Sequence, residues 1–324
     1  MILYHAISTF QLLECMVHHL VYTKDKEAVL VLPDFIVDKF PQYKQLQKMK
    51  LFKKVRLLKY TLIPHSNDRT IMRDIAYRYK KDVKYRLDKF EEVYCAGAHF
   101  YFSLYLISMK KPFIAFEDAA GMLSRDEEMY RTLSRQFPVH AEIAKRYGLF
   151  SLENEYIKKV ICHKASQTKD VSADRFINFD PVAELQHLDD DLREEIVSFF
   201  IDKTYSADND SIILLTQHFS VLGNMSLSKQ EKVYDYIIGD VLKNEKVIIK
   251  PHPDDLLDYE SRYKSAMVIH EKFPSELLPF VFNKRPERLI TINSTGAALL
   301  KGYFDVKIMN NYMEELKNDT EVFL

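Results

Sequence analysis

Four short clusters pair residue types that can do chemistry with a local setting that would hold them still. Glu117 and Asp118 follow the apolar run Phe113 to Phe116, and His252 stands between Pro251 and Pro253 at the end of Val247 to Lys250. Asn293, Ser294 and Thr295 follow Leu289 to Ile292, and Glu276 comes just after Phe273, Pro274 and Ser275. A carboxylate partly desolvated at a strand end can serve as a general base. Successive side chains of an extended segment alternate faces, so one of Glu117 and Asp118 reaches a site while the other caps or orients the next loop. An imidazole or a lysine at a strand end can donate to a phosphate as negative charge develops on a leaving group. That role suits His252, and Lys250 as well unless its alternation with Ile249 turns it away. Hydroxyls beside free amides at a helix start make an anion site without lysine or metal, and Ser294 and Thr295 fit either that or ordinary capping. Glu276 is favoured in a first helical turn by the dipole alone, or it could accept both hydroxyls of a ribose. Gln217 and His218 follow Ile212 to Thr216 and either line the same edge as His252 or, for His218, form a satisfied loop histidine.

All of these positions need strands that end together. Short apolar runs bounded by turn residues read as buried parallel strands, and prolines at Pro251 and Pro253 stop the strand at His252. The first half alternates such runs with amphipathic ones. Strands are expected at Ile2 to His5, Ala28 to Leu32, Val55 to Leu58, Val93 to Cys95 and Pro112 to Phe116. Helices fall at Ser8 to His19, Thr70 to Phe90 and Phe100 to Met109. From Ala119 to about Asp210 the chain is polar and less regular, with helices at Asp126 to Gln136 and Asp189 to Phe200, and Ser206 to Asp210 reads as a linker. The alternation then resumes with strands at Ile212 to Thr216, Val247 to Lys250, Ala266 to Ile269, Leu289 to Ile292 and Val306 to Met309. Helices at Lys229 to Leu242, Ser275 to Phe282, Gly296 to Lys301 and about Tyr312 to Lys317 separate them. Strands alternating with helices imply βαβ units and parallel sheets. The expected architecture is α/β: two Rossmann-like domains, 1–205 and 206–324, with a cleft between them, the first including an irregular helical region over 119–205.

Composition narrows the class. At 324 residues the chain exceeds one comfortable core, and a formal net charge of -1 argues against a nucleic-acid partner. With seven glycines and no tryptophan, a glycine-rich phosphate cradle is not available. Cys15, Cys95 and Cys162 form no C-x-x-C pair and read as reduced structural thiols. The start Met1-Ile2-Leu3-Tyr4 lacks a basic leader, and Gln11, Glu14, His18 and His19 interrupt the apolar positions that follow. A cytoplasmic protein is therefore expected, one that could lie against the inner face of the cytoplasmic membrane.

Acid-acid followed by a small residue, then His-Pro, then a Ser/Thr pair at a strand-to-helix turn with Pro-x-Glu between the last two, resembles bacterial sialyltransferases of the GT-B fold. The resemblance is particularly to the lipooligosaccharide type (glycosyltransferase family 52). The resemblance covers most of the chain, including the opening Tyr4 to Leu13. It implies inverting transfer of sialic acid from CMP-sialic acid to a hydroxyl of a surface oligosaccharide or capsule, with an acceptor that could be lipid-linked and with no obligatory metal or other cofactor. It further implies that Glu117 or Asp118 is the base, with Glu117 favoured, that His252 with Pro253, and Ser294 with Thr295, meet the CMP phosphate, and that Glu276 holds the ribose. Lys250, Asn293 and Gln217 would complete the nucleotide side. Two departures stand out: the family's acid-acid-Gly reads Glu117-Asp118-Ala119, with glycine delayed to Gly121, and its Ser-Ser reads Ser294-Thr295.

Other features are weighed beside these. Asp189, Asp190 and Asp191 look like a metal-binding D-x-D, but acids in a helix's first turn explain them. Lys44, Lys48, Lys50, Lys53, Lys54, Arg56 and Lys59, interleaved with Leu46, Met49, Leu51, Phe52 and Leu57, form either a solvated face or a patch for anionic lipid. A GT-B transferase using a UDP-sugar or CDP-glycerol, and a non-catalytic nucleotide-sugar-binding subunit, remain as alternatives.

Overall fold

Ile2–His5 is buried along its whole length, as a strand covered on both faces must be. In the computed structural model, which describes residues 1–64, 66–118, 122–163 and 173–309, this strand lies inside the first sheet, with a parallel neighbour on each side. The chain divides into two compact units, Met1–Phe199 and Phe200–Leu324. Among the described residues each unit holds one parallel sheet, and no helix is long and apolar enough to cross a membrane.

The strands of the first unit are β1 (Ile2–His5), β2 (Ala28–Pro33), β3 (Lys54–Leu58), β4 (Glu92–Cys95), β5 (Phe113–Phe116), β6 (Ile157–Cys162) and β7 (Phe176–Asn178). They lie in the order β3-β2-β1-β4-β5-β6-β7. Strand order reverses between β1 and β4, which places the carboxyl ends of β1, β4 and β5 side by side, the usual ligand edge of such sheets. The helix Thr9–Tyr22 follows β1 and is capped by Ser8, whose Oγ accepts from Gln11 N at 3.2 Å. A cap of this kind is worth about 1 kcal/mol.

The expected long helix Thr70 to Phe90 is shorter. It spans Asp68–Asp82, capped by Asn67, and the chain then turns at Lys84, which adopts a left-handed φ of 64°. A short 3-10 turn, Leu87–Lys89, leads into β4. The stretch read as irregular carries two further strands, β6 and β7, and the helices Pro138–Arg146 and Pro181–His187. Lys158 and Lys159 break the apolar run of β6 to the eye, yet both simply point outward while Val160, Ile161 and Cys162 are buried.

The strands of the second unit are β8 (Ile212–Leu215), β9 (Val247–Lys250), β10 (Met267–Val268), β11 (Arg288–Thr291) and β12 (Asp305–Ile308), in the order β10-β9-β8-β11-β12. Ile213, Leu214 and Ile249 are wholly buried. Each such side chain contributes roughly 1.5 to 3 kcal/mol by leaving water. Here the order reverses between β8 and β11, so the ends of β9, β8 and β11 share one edge. The stretch read as a linker is held to this unit: Lys246 Nζ pairs with Asp208 at 2.8 Å and Asp210 at 3.2 Å, and Ala207 N donates to Asn283 Oδ1. Ala119, Gly121 and the helix expected near Tyr312 lie outside the described residues.

Candidate active site

In the first unit, the two acids after β5 diverge as alternation requires. Glu117 is buried, and both its oxygens are engaged by backbone: Oε1 accepts from Leu123 N and Oε2 from His163 N, each at 3.1 Å. Asp118 is half-buried, and its Oδ1 accepts from Gln11 Nε2 at 2.7 Å. His99 Nδ1 approaches the same oxygen at 3.7 Å. Both neighbours therefore meet Oδ1, and Oδ2 is the oxygen turned from them. A small pocket opens here, lined by His99, Phe116, Glu117, Asp118 and Phe150 among others.

What positions Asp118 lies on the helix after β1. Gln11 is buried and anchored at its other end, because its Oε1 accepts from Ile7 N at 2.9 Å. Gly97 closes this region from β4: its φ is +69°, and a Cβ there would fall 2.6 Å from Ile7 Cδ1. Burial lowers the pKa of His99, and the charge of Asp118 opposes that effect. His163, whose amide holds Glu117, sets its own ring against buried Glu14 at 3.2 Å and against Phe179 O at 2.9 Å. Burial pulls the His163 pKa down, but the hydrogen bond and charge of Glu14, with the charge of Glu117, raise it overall.

In the second unit, Thr216 is the hinge of the sheet edge. Its Oγ1 accepts from His252 N at 3.2 Å and donates to Asp255 Oδ2 at 3.0 Å. Asp255 also receives Gln230 Nε2 and the Tyr259 hydroxyl, so the loop that carries His252 is folded onto one carboxylate. Asp254 N donates to His252 Nδ1 at 3.1 Å. A neutral imidazole that accepts at Nδ1 carries its proton on Nε2, so His252 offers an N–H donor. Pro253 stands exposed at the tip of this loop. Gln217 is half-buried with its backbone pinned by buried Tyr234, whose hydroxyl receives Gln217 N at 2.6 Å.

A second grouping lies around Glu276. Gly296 packs so closely on it that a Cβ would fall 2.7 Å from Glu276 Oε1 and 2.6 Å from Ser275 Oγ. Lys250 is buried, its Nζ 4.6 Å over the Phe273 ring. Burial lowers the Lys250 pKa to about 8, with the charge of Glu276 opposing. Ser294 N donates to Thr291 Oγ1, which itself donates to Leu215 O, tying this turn to the end of β8. The helix beyond is a single turn, Ala297–Leu300, entered from Gly296 with no side-chain cap. A turn so short has little dipole, so an anion here would rely on the hydroxyls and amides of 293–296 rather than on a helix end. Asn293 is exposed, and Ser294 and Thr295 are half-buried.

His218, His252 and Asp254 bring possible metal-ligating atoms within 4.8 Å of one another. The two imidazoles, however, are stacked at 3.6 Å with 16° between planes, and lone pairs in parallel ring planes do not converge on one ion. The trio therefore does not fit a metal centre. Asp190 and Asp191 sit in the first turn of Asp190–Phe200, where the helix dipole accounts for them. Sequence reasoning passed over Gln11, His99, Thr216 and Asp255. A signal for the first was present, since Gln11 lies among the apolar positions of its helix.

The model of the alpha-2,8-polysialyltransferase (POLYST) family matches residues 5–307. This chain belongs to that family. The alpha-2,8-polysialyltransferases are sialyltransferases and so glycosyltransferases, as the acid pair, His-Pro and Ser/Thr turn implied; the lipooligosaccharide type is not what the match names. An 88-residue stretch is 33% identical to an uncharacterized protein of Haemophilus influenzae, covering 27% of this chain and 28% of that protein. The chain thus matches little more than a quarter of that relative's length. Among solved structures, the UDP-GlcNAc 2-epimerase of Neisseria meningitidis bound to UDP-GlcNAc is similar at TM-score 0.54 and 12% identity, over 91% of this chain and 78% of that one. UGT89C1 of Arabidopsis thaliana complexed with UDP-L-rhamnose is similar at TM-score 0.54 and 11% identity, over 95% and 78%. At such identities the likeness is one of fold: two Rossmann-like domains of the GT-B kind.

Proposed function

We propose that this polysialyltransferase-family chain is an inverting glycosyltransferase that moves sialic acid from CMP-sialic acid to a hydroxyl of a surface oligosaccharide, with an acceptor ending in sialic acid as the family's name indicates. The observation that carries the reading is His252 at the sheet edge: its backbone is tied to Thr216 and its Nδ1 accepts from Asp254 N, which puts the imidazole proton on Nε2. A fixed neutral donor stabilises a departing phosphate without having to reorganise. Glu276 takes the ribose hydroxyls in this reading and the hydroxyls of Ser294 and Thr295 take the phosphate, which the closeness of Glu276 to Gly296 supports.

The base role fits Asp118 better than Glu117. Glu117 spends both oxygens on backbone amides, whereas Asp118 is oriented through Oδ1 and keeps Oδ2 turned away from Gln11 and His99. In the displacement, Asp118 accepts the proton of the acceptor hydroxyl, that oxygen forms a bond to the anomeric carbon, and the bond to the CMP phosphate breaks with its electron pair.

The test is donor selection followed by turnover. CMP at about 100 times its dissociation constant should stabilise the protein by roughly 2.7 kcal/mol, with UDP and CDP giving less. Stronger stabilisation by UDP or CDP would move the reading to another donor. Slow hydrolysis of CMP-sialic acid, lost in His252→Ala, separates an enzyme from a binding subunit.

A further inference from the structure

His218 is the residue that the nucleotide reading leaves without a task, and its placement is specific. β8 and β9 are neighbouring parallel strands with Leu215 opposite Lys250, so the residues that follow them run side by side. His218 lies three positions past Leu215 and His252 two past Lys250, and their rings meet face to face at 3.6 Å with a 16° tilt. Neither loop is loose. Gln217 N is bound by the Tyr234 hydroxyl, and Ser220 N donates to Gln230 Oε1 at 2.7 Å. Gln230, fully buried, then donates through Nε2 to Asp255 Oδ1 at 2.8 Å in the loop of His252. One amide side chain therefore clamps both histidine-bearing loops in register.

We infer that His218 is a positioning residue: its flat ring supports His252 from one face and holds that imidazole in the orientation from which Nε2–H meets the donor phosphate. The inference rests on the nucleotide reading of this site. An imidazole has two soft side-chain torsions, and the broad one that sets its ring plane is not fixed by a single hydrogen bond. Asp254 N fixes one edge of the His252 ring, and the stack fixes its plane. The support needs a flat ring rather than a second N–H, so phenylalanine should replace it and alanine should not.

The experiment compares the full-length wild type, His218→Ala and His218→Phe. Calorimetry with CMP, and with cytidine as the phosphate-free control, is combined with long-range proton–nitrogen spectra of the His252 ring in the free protein. His218→Ala should bind CMP about tenfold more weakly and cytidine as before, as expected for loss of one aromatic contact. His218→Phe should return to within about threefold of wild type. The spectra should show a single Nε2–H tautomer in wild type and His218→Phe, and an averaged one in His218→Ala. An unchanged tautomer and CMP affinity in His218→Ala would overturn the inference. So would an equal loss in His218→Phe, which would make the ring nitrogen itself the phosphate contact, or micromolar Zn²⁺ binding that requires both histidines. A wild type that fails to bind CMP would instead sink the nucleotide reading, while the spectra would still report on the stack.

Discussion

Gly296 and Glu276 touch so closely that the pair works as one part: a methyl group on Gly296 would sit 2.7 Å from Glu276 Oε1. Gly296 is not there for its backbone, because its φ of -58° is ordinary helical geometry. It is there for space. The turn that carries Asn293, Ser294 and Thr295 can approach the buried carboxylate only if position 296 has no side chain.

Gly296→Ala should therefore push Glu276 out of place and separate the two proposed nucleotide contacts. Overpacking of this kind costs about 1 to 3 kcal/mol. The expected result is at least tenfold weaker CMP binding with a small loss of melting temperature. Gly302→Ala, where an added Cβ meets nothing within 4 Å, is the matched control and should behave as wild type. Titration calorimetry on both proteins decides it, and equal affinities would show that the contact is incidental.

The two acids should separate cleanly. Asp118→Asn is expected to lower kcat by about 10² to 10⁴ while leaving melting almost unchanged, because Gln11 can still be accepted by the amide oxygen. Glu117→Gln should act mainly on stability, by about 1 to 3 kcal/mol, since it weakens the acceptors for Leu123 N and His163 N in a buried place. Steady-state rates and denaturant melts of the two variants provide the comparison. Loss of kcat confined to Glu117→Gln would return the base role to Glu117.

The strands that frame both edges were legible in the sequence because they are short apolar runs stopped by turn residues, and β9, ending at Lys250 two residues before His252, matches residue for residue. The alternation that splits Glu117 from Asp118 was legible for the same reason. What was hidden is polar burial. Gln11, Glu14, His18 and His19 interrupt an apolar pattern, which in sequence looks like a reason against a membrane span, yet all four are buried in the helix Thr9–Tyr22. Asp118, which pairs with Gln11, and His163, which pairs with Glu14, lie over 100 positions away, so nothing local could announce those pairings. The lost helix end at Asp82 was invisible too, because a left-handed lysine at position 84 carries no sequence mark.

Lys250 gives a prediction in pH. Burial lowers its pKa to about 8 from an ordinary 10.5, so below pH 8 the fold must keep a charged ammonium that the unfolded chain solvates freely. Between about 8 and 10.5 the unfolded chain binds the proton and the native one does not, and stability must rise with pH across that window. At 1.36 kcal/mol per pH unit the full gain is roughly 3 kcal/mol. Lys250→Met removes the titrating group, so the difference in unfolding free energy between wild type and variant should shrink or change sign from pH 7.5 to about 10. A difference that stays flat in urea melts over this range would place the lysine in a wetter setting than its burial indicates.

The basic segment makes its own prediction through the burial of its apolar members. Leu46 and Phe52 are in the core, while Lys44, Lys48, Lys50, Lys53, Lys54 and Lys59 face solvent, and Lys53 is paired with Glu27 at 2.7 Å. Leu46 and Phe52 are thus already used and Met49, Leu51 and Leu57 are half-buried, so attachment to anionic lipid through this face should be mainly electrostatic. Vesicles containing phosphatidylserine should bring down the protein while neutral phosphatidylcholine vesicles do not. Salt near 1 M, where the screening length is about 3 Å, should release it. Each lysine near such a surface is worth about 1 kcal/mol, so the triple change Lys48→Glu, Lys50→Glu and Lys54→Glu should weaken binding by roughly 100-fold or more. Equal sedimentation with both lipids would remove the patch as a membrane contact, and binding that survives high salt would mean that apolar groups insert.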